Sequence, residues 1–264
     1  MDEPRPHQDK LLDLFHSSDE RNVAIAMEMA KNPEYAFLQA KIDDYLVLCQ
    51  ALYDKNVNVL EPGQVVRLNG STMALSKQKI ERLPVQVHHL KHIETLYLEE
   101  CQINDLSAIG AFTNLNWLEI TDCELTKLPP EIGKLKNLTY LKLSDTRLKC
   151  LPKSIGQLEN LGTLDLTGCN LKKLPNTIVD LKNLGVLNLR YNRLRRLPKR
   201  IGQLENLGVL ILEHNKIRRL PKSFQRLQLS QLHILTTRIN YRQITKYKAL
   251  HPKCRVDDEL VDVF

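Results

Sequence analysis

The residues nearest to chemistry are three histidines. In "VHHLKH", His88 and His92 stand four apart, and His89 and His92 three apart. On a helix that spacing brings imidazoles to one face, within reach of a single metal ion. No cysteine or carboxylate stands at ligand spacing within the segment, so the expected use is a solvent-facing turn, and no metal or cofactor is expected. The six cysteines lie far apart with no CxxC pair, which points to a reducing, cytoplasmic setting. HExxH, a phosphate-cradling glycine loop and GxSxG are all missing. The chain therefore reads as non-enzymatic, and its function must lie in its surfaces.

Those surfaces need a scaffold. The chain has 264 residues, 42% of them apolar and 26% charged, enough for a core and unlike a disordered chain. No apolar run approaches the length of a membrane span. "MDEPRPHQDK" lacks the basic and apolar regions of a secretory signal, so none is expected. Charge is uneven: residues 1–60 carry 11 acids and 6 bases, whereas residues 147–226 carry 17 bases and 5 acids.

The scaffold shows itself as repetition. "IGQLENLG" occurs at Ile155–Gly162 and again at Ile201–Gly208, and "IVDLKNLG" begins midway at Ile178. One template covers the series: LxxLxLxx(N/C/T)xLxxLPxxIGxLxN. The residue two places after the N/C/T slot is Ile80, Ile103, Leu125, Leu148, Leu171, Leu194, Ile217 and Ile239, at intervals of 22 or 23. Each "LxxLxL" has the alternation of a strand too short to bury its leucines alone, so the units must stack. The slot residues Gln78, Cys101, Cys123, Thr146, Cys169, Asn192, Asn215 and Thr237 are expected inside each turn, bonding backbone groups of neighbouring units. Three cysteines thus have a structural use.

These motifs resemble the leucine-rich repeat family, in its intracellular type with an "LPxxIGxLxNL" outer segment, over about residues 65–240. The nearest look is that of Ras-group scaffolds and their bacterial relatives. The resemblance implies an α/β fold: a right-handed horseshoe solenoid of about eight repeats with a parallel sheet on its concave face. It also implies a signalling scaffold. This chain has fewer repeats and an acidic N-terminal cap, so the family's small-GTPase and phosphatase partners are not carried over. Residues 1–60 are expected to form a helical cap, 61–239 the solenoid and 240–264 a C-terminal cap and tail. Ser18 is expected to cap a helix through Val23 and Ala26. A second helix from about Glu34 carries Tyr35, Leu38, Tyr45 and Leu52, and a capping helix after Tyr241 uses Ile244, Tyr247 and Leu250. The acidic, apolar tail "DDELVDVF" is expected to pack as a short cap or fray.

Within each unit the leucines face the core, so the residues between them face the concave sheet. An acidic and aromatic zone follows: Tyr97, Glu99, Glu100, Trp117, Glu119, Asp122, Tyr140, Asp145 and Asp165, with Lys142 beside them among the expected binding residues. A mixed zone holds Arg190, Tyr191, Ile211 and His214. Exposed aromatic side chains are favoured interface anchors. The concave face is thus the expected grip on a partner protein of unknown identity that presents a basic or mixed patch. The turns leaving the strands carry a basic ridge: Lys172, Lys173, Arg193, Arg195, Arg196, Arg218 and Arg219. It is the alternative site, for an anionic polymer or membrane surface. Nucleic acid is set aside because the ridge columns hold almost no aromatic or amide groups for base recognition. A monomer is expected.

Overall fold

Leucines alternating with polar residues force each "LxxLxL" into a short extended segment that only a neighbour can complete. In the computed structural model, which describes residues 6–257, eight such strands form: β1 Thr72–Ser76, β2 Thr95–Glu99, β3 Trp117–Thr121, β4 Tyr140–Ser144, β5 Thr163–Asp165, β6 Val186–Asn188, β7 Val209–Ile211 and β8 Gln231–His233. A further strand, β9 Arg255–Asp257, pairs with β8. The sheet therefore has nine strands in sequential order, all parallel. β9 lies outside the eight units of the repeat because "RVD" carries no leucine and follows a helix. Of the tail "DDELVDVF", expected to pack as a short cap or fray, Asp257 ends β9 and residues 258–264 lie outside the described residues.

The backbone reverses after each strand through one left-handed residue. Lys77, Glu100, Asp122, Asp145, Tyr191, His214 and Thr236 have φ between 51° and 56°, and Gly168 has φ 70°. A side chain in that region costs about 1 kcal/mol, so something must hold the turn closed. The slot residue does. Asn192 Nδ2 donates to the carbonyls of Leu166 (2.7 Å), Leu189 (3.1 Å) and Arg190 (3.1 Å), and its Oδ1 accepts from Leu171 N at 2.7 Å. Asn215 repeats the pattern one unit later, with Leu189 O at 2.7 Å and Leu194 N at 2.9 Å. Cys101 and Cys123 do a reduced version: each thiol donates to a carbonyl of the preceding unit, Leu75 and Leu98 respectively.

On the outer face, short 3-10 turns stack, as at Lys153–Gln157 and Ile201–Gln203. The asparagine of "LxNL" bridges them: Asn160 Nδ2 donates to Lys136 O at 2.9 Å and Asn206 Nδ2 to Lys182 O at 2.7 Å. The glycine of "IG" is required by close approach. A Cβ on Gly202 would lie 2.0 Å from Ser223 O, and one on Gly156 2.4 Å from Thr177 O.

Among the described residues four α-helices precede β1: α1 Pro6–Phe15, α2 Glu20–Met29, α3 Ala36–Leu52 and α4 Pro62–Asn69. Phe15, Val23, Ala26, Leu38, Tyr45 and Leu52 are fully buried, and they join one core that continues along the solenoid to Tyr247. α2 is capped by Asp19 rather than Ser18. Ser17 Oγ accepts the Asp19 N–H, so the chain turns one residue later and the Asp19 carboxylate accepts from Arg21 N. Asn69 ties the cap together, donating to Phe15 O at 2.7 Å and accepting from Tyr45 Oη at 3.1 Å. At the other end, α5 Tyr241–Leu250 buries Ile244 and Tyr247, while Leu250 is 55% exposed. The helix is anchored by polar groups instead: Tyr247 Oη donates to Leu227 O, and Gln243 bonds both backbone groups of Leu220.

Candidate functional site

The parallel register aligns the concave positions in the columns the repeat predicts. Trp117 lies between Thr95 and Tyr140, and Glu119 between Tyr97 and Lys142. Asp165 follows Lys142, and Ile211 lies between Asn188 and His233. Within this lattice the side chains pair along the solenoid. The Trp117 and Tyr140 rings stack at 3.6 Å and 8°. Glu119 Oε1 accepts from Lys142 Nζ at 2.6 Å, a hydrogen bond that raises the lysine pKa above its ordinary value. Burial, with Glu119 nearby, raises that of Tyr140. Asp165 is taken up by its own turn and the next unit: its Oδ1 accepts from Thr167 N and Oγ1, and its Oδ2 from Asn188 Nδ2. Tyr97, Glu99, Asp122 and Asp145 are exposed. The Trp117 Nε1 atom is buried with no hydrogen-bond partner among the described residues.

The second zone is a separate cluster. Tyr191 and His214 occupy successive left-handed turns, and their rings stack at 4.2 Å and 14°. The Arg190 guanidinium lies 4.8 Å from the Tyr191 ring centre, and its Nε is 2.9 Å from Glu213 Oε2. Glu213 is absent from the residues singled out by sequence. It stands in the same column as Arg190, one unit on, which is the signal that finds it. Gly168 interrupts the row of turn side chains between Asp145 and Tyr191. A Cβ there would lie 2.2 Å from Asp145 Oδ1.

The ridge is laid out by the slot ladder behind it. Arg193 N donates to Leu171 O, Lys216 N to Leu194 O and Arg238 N to Ile217 O. Lys172, Lys173, Arg193, Arg195, Arg196, Arg218 and Arg219 are all exposed, and none has a carboxylate partner among the described residues.

The histidines point to three different partners. His88 Nδ1 is 2.8 Å from Val85 O, and His92 Nε2 is 2.9 Å from Leu68 O. His89 sits between α3 side chains, with Lys41 Nζ 2.7 Å from Nδ1 and Asp44 Oδ2 2.7 Å from Nε2. An ammonium can only donate, so Nδ1 accepts and Nε2–H donates to the carboxylate of Asp44. The segment fastens the cap to the first repeat. Among the cysteines, the contact between the paired side chains lowers the Cys101 thiol below its ordinary value and raises that of Cys123, with burial adding to the rise. Burial pushes the Cys169 thiol up to about 11.

Residues 129–189 match a family model described as a leucine-rich repeat region, and residues 182–239 one described as leucine rich repeat. A solved leucine-rich repeat protein of Leptospira interrogans is 32% identical, with a TM-score of 0.68 over 75% of this chain and 51% of that one. The leucine-rich repeat ectodomain of the membrane receptor kinase GASSHO1/SCHENGEN3 from Arabidopsis thaliana is 25% identical, with a TM-score of 0.57 over 66% of this chain and 22% of its own. The plant peptide hormone receptor RGFR1 is 27% identical, with a TM-score of 0.59 over 70% of this chain and 31% of its own. The chain thus spans about half the length of the Leptospira protein and less of the receptors. No curated protein matches it. No helix among the described residues is long and apolar enough to cross a membrane. Folds of this kind commonly serve as protein-interaction scaffolds and are typically non-enzymatic. The repeat period, the sequential parallel sheet with its slot ladder and these similarities together mark the chain as a leucine-rich repeat protein.

Proposed function

We propose that the chain is a non-catalytic scaffold that holds a partner polypeptide against the N-terminal half of its concave face, centred on Trp117. The observation that carries this reading is the Trp117–Tyr140 ring stack on the concave sheet. Rigid, half-buried rings are the side chains that dominate interface energy. Around them Glu99, Asp122 and Asp145 are exposed, so the complementary surface is basic or mixed. Two similar structures are receptors solved in complex with Casparian strip integrity factor 2 and with RGF2, which supports a polypeptide occupant. A reducing, cytoplasmic setting fits the thiols, since Cys101, Cys123 and Cys169 spend their S–H groups on carbonyls and a disulfide would remove those bonds.

The test is affinity capture with Trp117→Ala combined with Glu119→Lys. Loss of the captured protein at an unchanged circular dichroism melt is expected. Undiminished capture by the folded variant overturns the reading.

A further inference from the structure

We infer that the basic ridge is a second binding surface, for single-stranded nucleic acid. Three successive units each place adjacent bases on the same edge: Lys172 and Lys173, Arg195 and Arg196, Arg218 and Arg219. All six are exposed and lack a carboxylate partner among the described residues. Lining up unneutralised charge costs self-repulsion, and a mixed-sign edge would be equally soluble. Four of the six are arginines, whose planar fork suits phosphate oxygens better than an ammonium does. The units repeat at about 5 Å, so long side chains can follow an extended phosphate backbone from one unit to the next.

The structure supplies what the ridge columns lack in sequence. The stacked Tyr191–His214 pair stands at the ridge margin, in the turns immediately before Arg193 and Lys216, and Tyr191 is 50% exposed. Asn240 N donates to Arg218 O, so α5 begins at the end of the line with Tyr241, which is 60% exposed. Planar rings bordering a cationic track are the recurring design for unpaired bases, which stack without regard to sequence. A duplex keeps its bases away from such rings. A membrane fits less well, because four of the five large exposed aliphatic side chains among the described residues, Ile25, Val47, Val59 and Val85, lie in the cap and first repeat, remote in sequence from the ridge, and the fifth, Leu250, stands alone at the C-terminal end of α5.

Fluorescence anisotropy of the full chain with a labelled oligothymidylate tests the inference. Affinity should fall steeply as salt rises, by about 0.7 log units per log unit of salt for each phosphate contacted. Arg195→Glu with Arg196→Glu should weaken binding at least about tenfold and flatten that slope. Tyr191→Ala should weaken the oligonucleotide about fivefold or more but leave dextran sulfate, which has charge and no rings, unchanged. Trp117→Ala should bind the oligonucleotide normally, which separates this surface from the concave one. Three results overturn the inference: salt-insensitive or absent binding, a Tyr191→Ala variant that binds the oligonucleotide as well as the parent, or preference for phosphatidylserine vesicles over the oligonucleotide.

Discussion

The turns after β2 and β3 are closed by the thiols of Cys101 and Cys123, and those after β6 and β7 by the carboxamides of Asn192 and Asn215. Cys101 and Cys123 each donate one weak bond to the unit before. Asn192 and Asn215 each satisfy two carbonyls of their own turn, one carbonyl of the preceding unit and one amide N–H. The two halves of the solenoid also differ in what they lean on. The first is buttressed by four helices whose side chains continue its core. The second carries the exposed, like-charged ridge and needs the stiffer ladder. Cohesion between units is therefore set locally, by the slot residue and the outer turn, while the surface displayed by each unit is free to differ.

The largest expected effect breaks this contrast at the slot. Asn192→Ala leaves Leu171 N and the Leu166 carbonyl unpaired in the core, and should cost about 3 kcal/mol in urea unfolding. Cys123→Ala should cost about 1 kcal/mol. Equal costs would show that the slot chemistry does not distinguish the halves.

A smaller effect sharpens it on the outer face. Gly202→Ala forces a Cβ onto Ser223 O and should cost about 2 kcal/mol. The nearest atom to a Cβ at Gly110 is Lys134 Cδ at 2.9 Å, the middle of a flexible side chain. Gly110→Ala should therefore lose less, which thermal melts of both variants would check.

The smallest effect depends on pH and should be confined to the N-terminal half. Burial first, then Lys41, depresses the His89 pKa below its ordinary 6.5. The folded state thus holds fewer protons there than the unfolded chain, and stability rises with pH through this window. The contribution is complete above about 6.5 and is lost as pH falls from there toward the depressed native value. Amide exchange in α3 should quicken on acidification while the amides of β6 and β7 hold. His89→Gln should blunt the response. Uniform quickening along the solenoid would place the acid sensitivity elsewhere.

Much of this was legible in the letters. A period of 22 or 23 residues sets the register, so Trp117 beside Tyr140 and Glu119 beside Lys142 follow from counting. The three paired lysines and arginines of the ridge follow in the same way. What lies outside the repeat was harder to read. α1 and β9 have no partner unit to reveal them, and the N-cap of α2 moved to Asp19 because Ser17 takes the preceding turn. Side-chain pairing within the lattice was also hidden. Counting gives columns, but not that Asp165 is satisfied by its own turn and the next unit, or that Glu213 folds against Arg190. The aromatic margin of the ridge escaped for a related reason. Tyr191 and His214 sit two places before the bases they border, and only the left-handed turns bring them there.

The central claim, that the N-terminal concave face holds a polypeptide partner, is tested most directly by quantitative capture from cell extract with three baits: the parent chain, Trp117→Ala with Glu119→Lys, and Arg195→Glu with Arg196→Glu. In the presence of nuclease, the parent and the ridge variant should retain a protein that the concave variant loses. Retention by the concave variant, with loss from the ridge variant instead, would contradict it.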